Sequence, residues 1–368
     1  MNNLHELLTA CSINPSDAPE IWNEEWDAVS LAYQHSRKDL FTDSYMQYAN
    51  ELFCLSTDKL QVFRNTARLI YESESLCMLA WLWYYTVFEG KMKEEHVMVD
   101  KWPTPQNMPK KLSGVFLAMV LMYALQPLER FYDNKGISRE ILISTLSDID
   151  VNMKLNPDGL YLFSNYWFNW LQNHFKGNLF RIGRLQFKCS EFADDKCIYE
   201  NKSTGELKVT HLGDLDEYKN VPDEWELVIK KGDMRLEVHI SEGSPMMPEE
   251  CQKSYRGAAE LYVNKFGKDI KGYTCASWLI SPDLKSLLPP NSNIIRFQED
   301  YFMYEYLDCE TYFGAIYGWW LDEGTPVDDL PEDTSLQRAI KKHKQAGGNV
   351  YSACGFKKIA NHAVDALA

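Results

Sequence analysis

Apolar residues recur at three- and four-residue intervals through most of the first 175 positions, and that spacing predicts helices. Asp17-Ala18-Pro19-Glu20 offers a cap-like start, after which Ile21, Trp22, Trp26, Val29 and Tyr33 fall on one stripe. Residues 43–55, 57–71 and 73–88 read as three more helices. The last, with Trp81, Trp83, Tyr84 and Tyr85, is apolar nearly all round, which predicts a place in the middle of a bundle. Lys101-Trp102-Pro103-Thr104-Pro105 interrupts the pattern, because two prolines forbid continuation. Helices are expected again over 109–125, about 138–154 and 160–175, with a turn signal at Asp133-Asn134-Lys135-Gly136. We place a domain boundary at that turn, giving residues 1–136 and 137–368.

After Gly177 the period shortens from helical to alternating. Residues 179–187, 197–200, 225–229 and 234–240 read as strands of a meandering antiparallel sheet, the last two flanking a turn at Lys230-Lys231-Gly232-Asp233. An amphipathic helix follows over 248–266, with Cys251, Tyr255, Ala258, Ala259 and Tyr262 on its inner face, then a buried strand over 273–280. Residues 294–306 are expected to be extended and 312–321 to form a further strand. A basic helix is expected over 335–345.

Composition narrows the class of protein. With 45% hydrophobic and 13% aromatic residues in 368, the chain has enough large apolar side chains for more than one core. A net charge of −15 without a basic cluster disfavours nucleic acid, whose phosphates are held mainly by Lys and Arg. The nine cysteines form no C-x-x-C pair and sit mostly in apolar runs, so buried free thiols are expected, with no metal site. Residues 76–88 and 115–125 are the longest apolar stretches, and both fall short of the roughly 20 residues a bilayer requires. The first residues lack a basic and then apolar leader. These features predict a soluble cytoplasmic protein.

Candidate chemistry concentrates on the strand over 234–240. Alternation puts Glu237 and His239 on one face and Leu236, Val238 and Ile240 on the other. Two ionisable groups on an otherwise buried strand are costly unless paired or hydrated. They read either as a base that takes a proton from an attacking amine or as a pair that satisfies itself. Arg181, Arg184 and Gln186 fit either a substrate carboxylate or phosphate or a structural ion pair. Ser277 could donate to a ligand, while Cys275 beside it reads as a core thiol before a nucleophile. Asn293, after Pro289-Pro290, fits turn chemistry or a substrate contact.

Three segments carry a family resemblance. They are Arg181-Ile182-Gly183-Arg184-Leu185-Gln186-Phe187, Leu236-Glu237-Val238-His239-Ile240-Ser241-Glu242-Gly243, and Cys275-Ala276-Ser277-Trp278-Leu279-Ile280-Ser281-Pro282-Asp283-Leu284 with Asn291-Ser292-Asn293-Ile294 behind it. Together they resemble a bacterial family of acyltransferase-like proteins that joins a helical N-terminal domain to a divergent GNAT-like C-terminal domain. The resemblance covers the helical front to about residue 136 and the later part through at least Tyr306. It implies an α+β fold class, an all-helical domain followed by a mixed α/β domain with a largely antiparallel sheet. It also implies acetyl-CoA or another acyl-CoA as co-substrate, in a gap between two splayed parallel strands at 236–240 and 273–280. The implied CoA contacts are Ile240, Ser241, Gly243, Glu249, Glu250 and Cys251, at the start of the helix from Pro248. The implied reaction is N-acylation of a small-molecule or peptide amine, assisted by Glu237 or His239. The family's Gln/Arg-x-x-Gly-x-Gly/Ala loop is replaced here by Ser241-Glu242-Gly243-Ser244-Pro245-Met246-Met247-Pro248-Glu249-Glu250. That departure keeps a second expectation open, a catalytically inactive GNAT-like scaffold that senses a ligand or partner.

Overall fold

A computed structural model of the chain describes residues 3–33, 38–211, 222–307, 309–310 and 312–359. The chain divides into two compact units, Met1–Phe180 and Arg181–Ala368, and the division falls inside the strand Leu179–Ile182. The turn at residues 133–136, where the sequence suggested a boundary, joins two helices of the first unit. There Gly136 takes φ +61°, a left-handed conformation that glycine accepts without penalty.

The first unit is built from helices α1 (Leu4–Ala10), α2 (Glu20–Tyr33), α3 (Asp43–Phe53), α4 (Thr57–Glu72), α5 (Glu74–Phe88), α6 (Leu125–Asn134), α7 (Arg139–Leu146) and α8 (Asn165–Phe175). Side-chain oxygens of Asn3, Thr42, Ser73 and Ser138 cap α1, α3, α5 and α7 by accepting backbone N–H bonds, which satisfies amides that have no partner inside the helix. As its all-round apolarity predicts, α5 is central and packs against α2 and α4. Trp22, Trp83 and Trp102 meet edge to face at 5.1–5.9 Å, so the proline-rich break folds back into the core. The amide side chains of Asn169 and Gln172 on α8 bond the backbone of Val97 and Val99 at 2.7–2.9 Å. They satisfy backbone groups of the buried Val97 and Val99, which lie in no helix or strand.

Three expected helices of this unit are shorter than predicted, that over about 138–154 dividing at Ser147 into α7 and a short helix Asp148–Asn152. Residues 109–125 break into Lys110–Ser113, Phe116–Val120 and a tight turn at Leu121–Ala124. A Cβ at Gly114 would lie 2.7 Å from the Tyr161 carbonyl, so the chain crosses itself there. The helix expected from residue 160 begins at Asn165, because Tyr161–Leu162 pairs with Lys154–Leu155 in a short ladder.

The second unit holds strands β1 (Leu179–Ile182), β2 (Leu185–Glu191), β3 (Lys196–Asn201), β4 (Leu207–His211), β5 (Trp225–Lys230), β6 (Met234–His239), β7 (Ile270–Ser277), β8 (Phe302–Tyr306) and β9 (Ala353–Lys358). Six form one sheet in the order β8-β9-β7-β6-β2-β1, and β4-β3-β5 form a second. The strands flanking Gly232 therefore belong to different sheets and are not a hairpin. β6 and β7 pair in parallel, and such a pair needs a crossover. Helix α9 (Pro248–Ala259), extended by a wider turn over Glu260–Lys265, supplies it.

The segment expected to be extended over 294–306 is instead helix α10 (Asn293–Gln298), capped by Ser292, followed by β8. Residues 312–321, expected as a strand, contain the helix Phe313–Tyr317, which ends at Gly318 with φ +104°. The basic helix, α11 (Ser335–Gln345), starts with a capping box between Thr334 and Gln337.

Candidate active site

The parallel ladder between β6 and β7 runs Met234↔Ile270, Leu236↔Tyr273 and Glu237↔Thr274, and no pair follows. Beyond that point each strand stays paired on its outer side only, β6 to His239↔Gln186 and β7 to Ser277↔Ala353. The C-terminal ends of the two parallel strands thus share no further backbone pair, as the CoA-binding expectation requires. One face of the sheet beneath α9 is packed by Phe187, Tyr255 and Tyr273 with ring centroids 5.0–6.1 Å apart.

The opposite face carries the ionisable pair. His239 Nε2 lies 3.3 Å from Glu237 Oε2. The Ser190 hydroxyl donates to Glu237 Oε1 at 2.6 Å, and Arg235 Nη1 lies 3.1 Å from the same oxygen. Burial by itself would raise the Glu237 pKa. Hydrogen bonds from His239 and Ser190 and the Arg235 charge outweigh it and hold the carboxyl at about 2, against an ordinary 4.5. A carboxylate that acidic is a feeble base near neutrality. Glu237 is therefore placed as a hydrogen-bond acceptor beside the His239 ring and is ill suited to remove a proton itself. The pair is only half-buried, with His239 32% and Glu237 25% exposed.

Past β6, residues 240–247 form a loop tied down by Arg184. This residue sits at the β1–β2 turn and is 8% exposed. Its Nε donates to the Ser244 carbonyl at 2.6 Å and its Nη1 to the Ser241 carbonyl at 3.0 Å. Its backbone N–H donates to Ser254 Oγ at 2.9 Å, and that hydroxyl donates to the Glu250 carbonyl at 2.8 Å. Burial and then the nearby Arg181 charge lower the Arg184 pKa, so two guanidinium groups press on one another at this loop. A Cβ at Gly243 would come within 3.3 Å of Arg181 Nη2.

A cavity of about 470 Å³ opens here, lined by Arg184, residues 243–246, Asn293 and Ser335 among others. It borders the approach to α9 and the N-terminal ends of α10 and α11. Ser292 and Thr334 each already accept one first-turn N–H there, and the helix dipole favours an anion at such ends. Asn293 lines the cavity, and its side-chain amide donates to the sulfur of Met247 at 3.2 Å.

The remaining expected residues fall around rather than in this cavity. Glu249, Glu250 and Cys251 form the first turn of α9. Glu250 pairs with Lys253 at 2.7 Å, and burial pushes the Cys251 thiol up to about 11. Ile240 and Ser241 follow β6 directly, with the Ser241 carbonyl bound to Arg184. Gln186 is buried opposite His239. Ser277 Oγ accepts the Leu279 N–H at 3.1 Å and caps the turn that ends β7. Cys275 is fully buried and burial pushes its thiol far up, which removes the thiolate that a nucleophile needs. The sequence reading did not single out Ser190, Arg235, Ser244 or Ser335 for the site. The alternation of Gln186, Lys188 and Ser190 along β2 was the only available signal for Ser190.

Among the described residues there is no group of side chains suited to a metal and no helix long and apolar enough to cross a membrane.

Comparison with known proteins bears on this geometry. Residues 65–177 match the family described as the N-acyltransferase N-terminal domain, and residues 179–357 the GNAT-like C-terminal domain. A comparison with curated proteins finds no match. Among solved structures the fold is shared with an acyltransferase in complex with decanoyl-CoA and teicoplanin, at a TM-score of 0.70 and 17% identity. A complex of an acyltransferase with CoA and 10C-teicoplanin gives 0.71, and a mutant with octanoyl-CoA gives 0.69, both also at 17% identity. Each alignment covers 97% of this chain and 99% of the other. At that identity the likeness speaks for the fold.

Proposed function

Because this chain belongs to the acyltransferase family that couples an N-acyltransferase N-terminal domain to a GNAT-like C-terminal domain, we propose that it transfers an acyl group from acyl-CoA to an amine. The observation that carries the reading is the break in the β6–β7 ladder after Glu237 and Thr274, with the Glu237–His239 pair beside it. A pantetheine arm laid in that gap would bring its thioester alongside the end of β6. The amine nitrogen attacks the thioester carbonyl, the C–N bond forms and the C–S bond breaks. His239 accepts the proton that the nitrogen sheds, and CoA departs as a thiol once that proton is returned to its sulfur. A protonated amine has no lone pair, so it first loses one proton to solvent, and the proton that His239 takes is the second, shed as the C–N bond forms.

The diphosphate of CoA fits the cavity beside Arg184. The glycine-rich loop is missing, and a buried guanidinium with Arg181 nearby supplies positive charge in its stead. An amine on a small molecule or peptide suits the acceptor side, in keeping with the teicoplanin bound by the related fold. Long acyl chains are favoured as donors on the same ground.

Thermal melting tests the donor half of this reading. At about 100 times its dissociation constant, decanoyl-CoA should add roughly 2.7 kcal/mol of stability. Arg184→Gln should blunt that shift. An unchanged melting temperature with CoA, acetyl-CoA and decanoyl-CoA alike would instead favour the inactive scaffold.

A further inference from the structure

Glu237 divides its two carboxylate oxygens between different tasks. Oε1 takes the Ser190 hydroxyl at 2.6 Å and Arg235 Nη1 at 3.1 Å, while Oε2 faces His239 Nε2 at 3.3 Å. The register places the donors side by side, since Ser190 is the cross-strand partner of Arg235, Lys188 of Glu237 and Gln186 of His239. A glutamate held only through His239 would be free to turn about its broad terminal torsion. Two donors fixed to a paired strand remove that freedom. Arg235 is only 16% exposed, and its buried Nε has no hydrogen-bond partner.

We infer that Ser190 and Arg235 are positioning residues, pinning one side of Glu237 so that its other oxygen fixes the His239 ring and its tendency to hold a proton. The inference rests on the reading of His239 as the base and deepens it. Other charged or titratable groups reach this cluster. Lys188 stands opposite Glu237 on β2 and Thr274 beside it on β7. The charges of Lys268, Glu237 and Arg235 act on Cys189, and that of Arg235 acts on Tyr304, whose hydroxyl donates to Asp194. Arg235 is the cation in direct contact with the carboxylate, so its removal has the clearest expected sign.

The test is an NMR titration of the His239 ring protons in the full chain, assigned by their disappearance in His239→Ala. Arg235→Gln takes away a cation that competes for the Glu237 charge, so the midpoint should move up by about one pH unit. Ser190→Ala changes no charge and only frees the carboxylate, so loss of the pin should move the midpoint down, and Ser190→Thr should restore it. Glu237→Gln should move it down. Midpoints that stay put in both Arg235→Gln and Ser190→Ala, or that shift in one direction for all three variants, overturn the inference. Melting curves show whether each variant is folded, and the serine variants stand in if Arg235→Gln is not. Turnover of decanoyl-CoA by His239→Ala is read separately. Full activity there sinks the base while leaving the titration result intact, whereas loss of activity with static midpoints sinks only the positioning role.

Discussion

At Glu237 three donors offset the cost of desolvating a carboxylate, and their sum has a measurable sign. The carboxyl titrates at about 2 in the folded chain against an ordinary 4.5, a difference worth roughly 3 kcal/mol before solvent screening reduces it. A depressed carboxyl stabilises above its unfolded value, so this contribution is complete above about pH 4.5 and disappears as the pH falls towards 2. Urea melts of the wild type and Glu237→Gln across that range should therefore converge at the acid end and diverge near neutrality. A constant gap at every pH would show that the carboxylate contributes nothing through its charge. His239→Ala should lower kcat by about 10²–10⁴ with little change in the dissociation constant of decanoyl-CoA, read by titration calorimetry. Equal losses in both would mean that His239 serves binding.

At the scale of elements, the β1–β2 turn and α9 are fastened through glycine. Gly183 takes φ +62°, and a Cβ there would sit 2.8 Å from Ser254 Oγ, the atom that receives the Arg184 N–H. Gly205 has a similar φ of +71° with open space around it. Both Gly→Ala changes should cost about 1–2 kcal/mol for the left-handed backbone. Gly183→Ala should cost more, because it also disturbs the contact that ties the turn to α9. Equal melting temperatures for the two would deny that contact any role. The sequence made much of this layer legible. Alternation marked β6 with its ionisable face, and a helical stripe marked α9. It failed at residues 294–306 and 312–321, short apolar runs whose period fits helix or strand alike. It also could not foresee that strands on either side of Gly232 join different sheets, since pairing partners are set by packing far away in the chain.

For the whole molecule, the candidate site draws on Arg184, Gly243, Asn293 and Ser335, which lie far apart in sequence and meet around one cavity of the second unit. That Glu237 and His239 would pair was readable, because two ionisable groups on one strand face are costly in isolation. Ser190 and Arg235 were not, because their roles depend on a cross-strand register that no local pattern encodes. The same holds for Arg184, which read equally well as an ion-pair residue until the loop carbonyls of Ser241 and Ser244 were seen to receive it. Diphosphate held by guanidinium groups should also be salt-sensitive, so decanoyl-CoA affinity should fall as ionic strength rises from 0.05 to about 0.5 M, as read by calorimetry. An affinity indifferent to salt would place the nucleotide elsewhere. The most direct test of the central claim follows the free thiol released from decanoyl-CoA as a series of primary amines is supplied. The account predicts amine-dependent thiol release by the wild type, with the acylated amine seen by mass spectrometry, and its near-abolition in His239→Ala. Thiol release that ignores the amine, or that survives undiminished in His239→Ala, would contradict it.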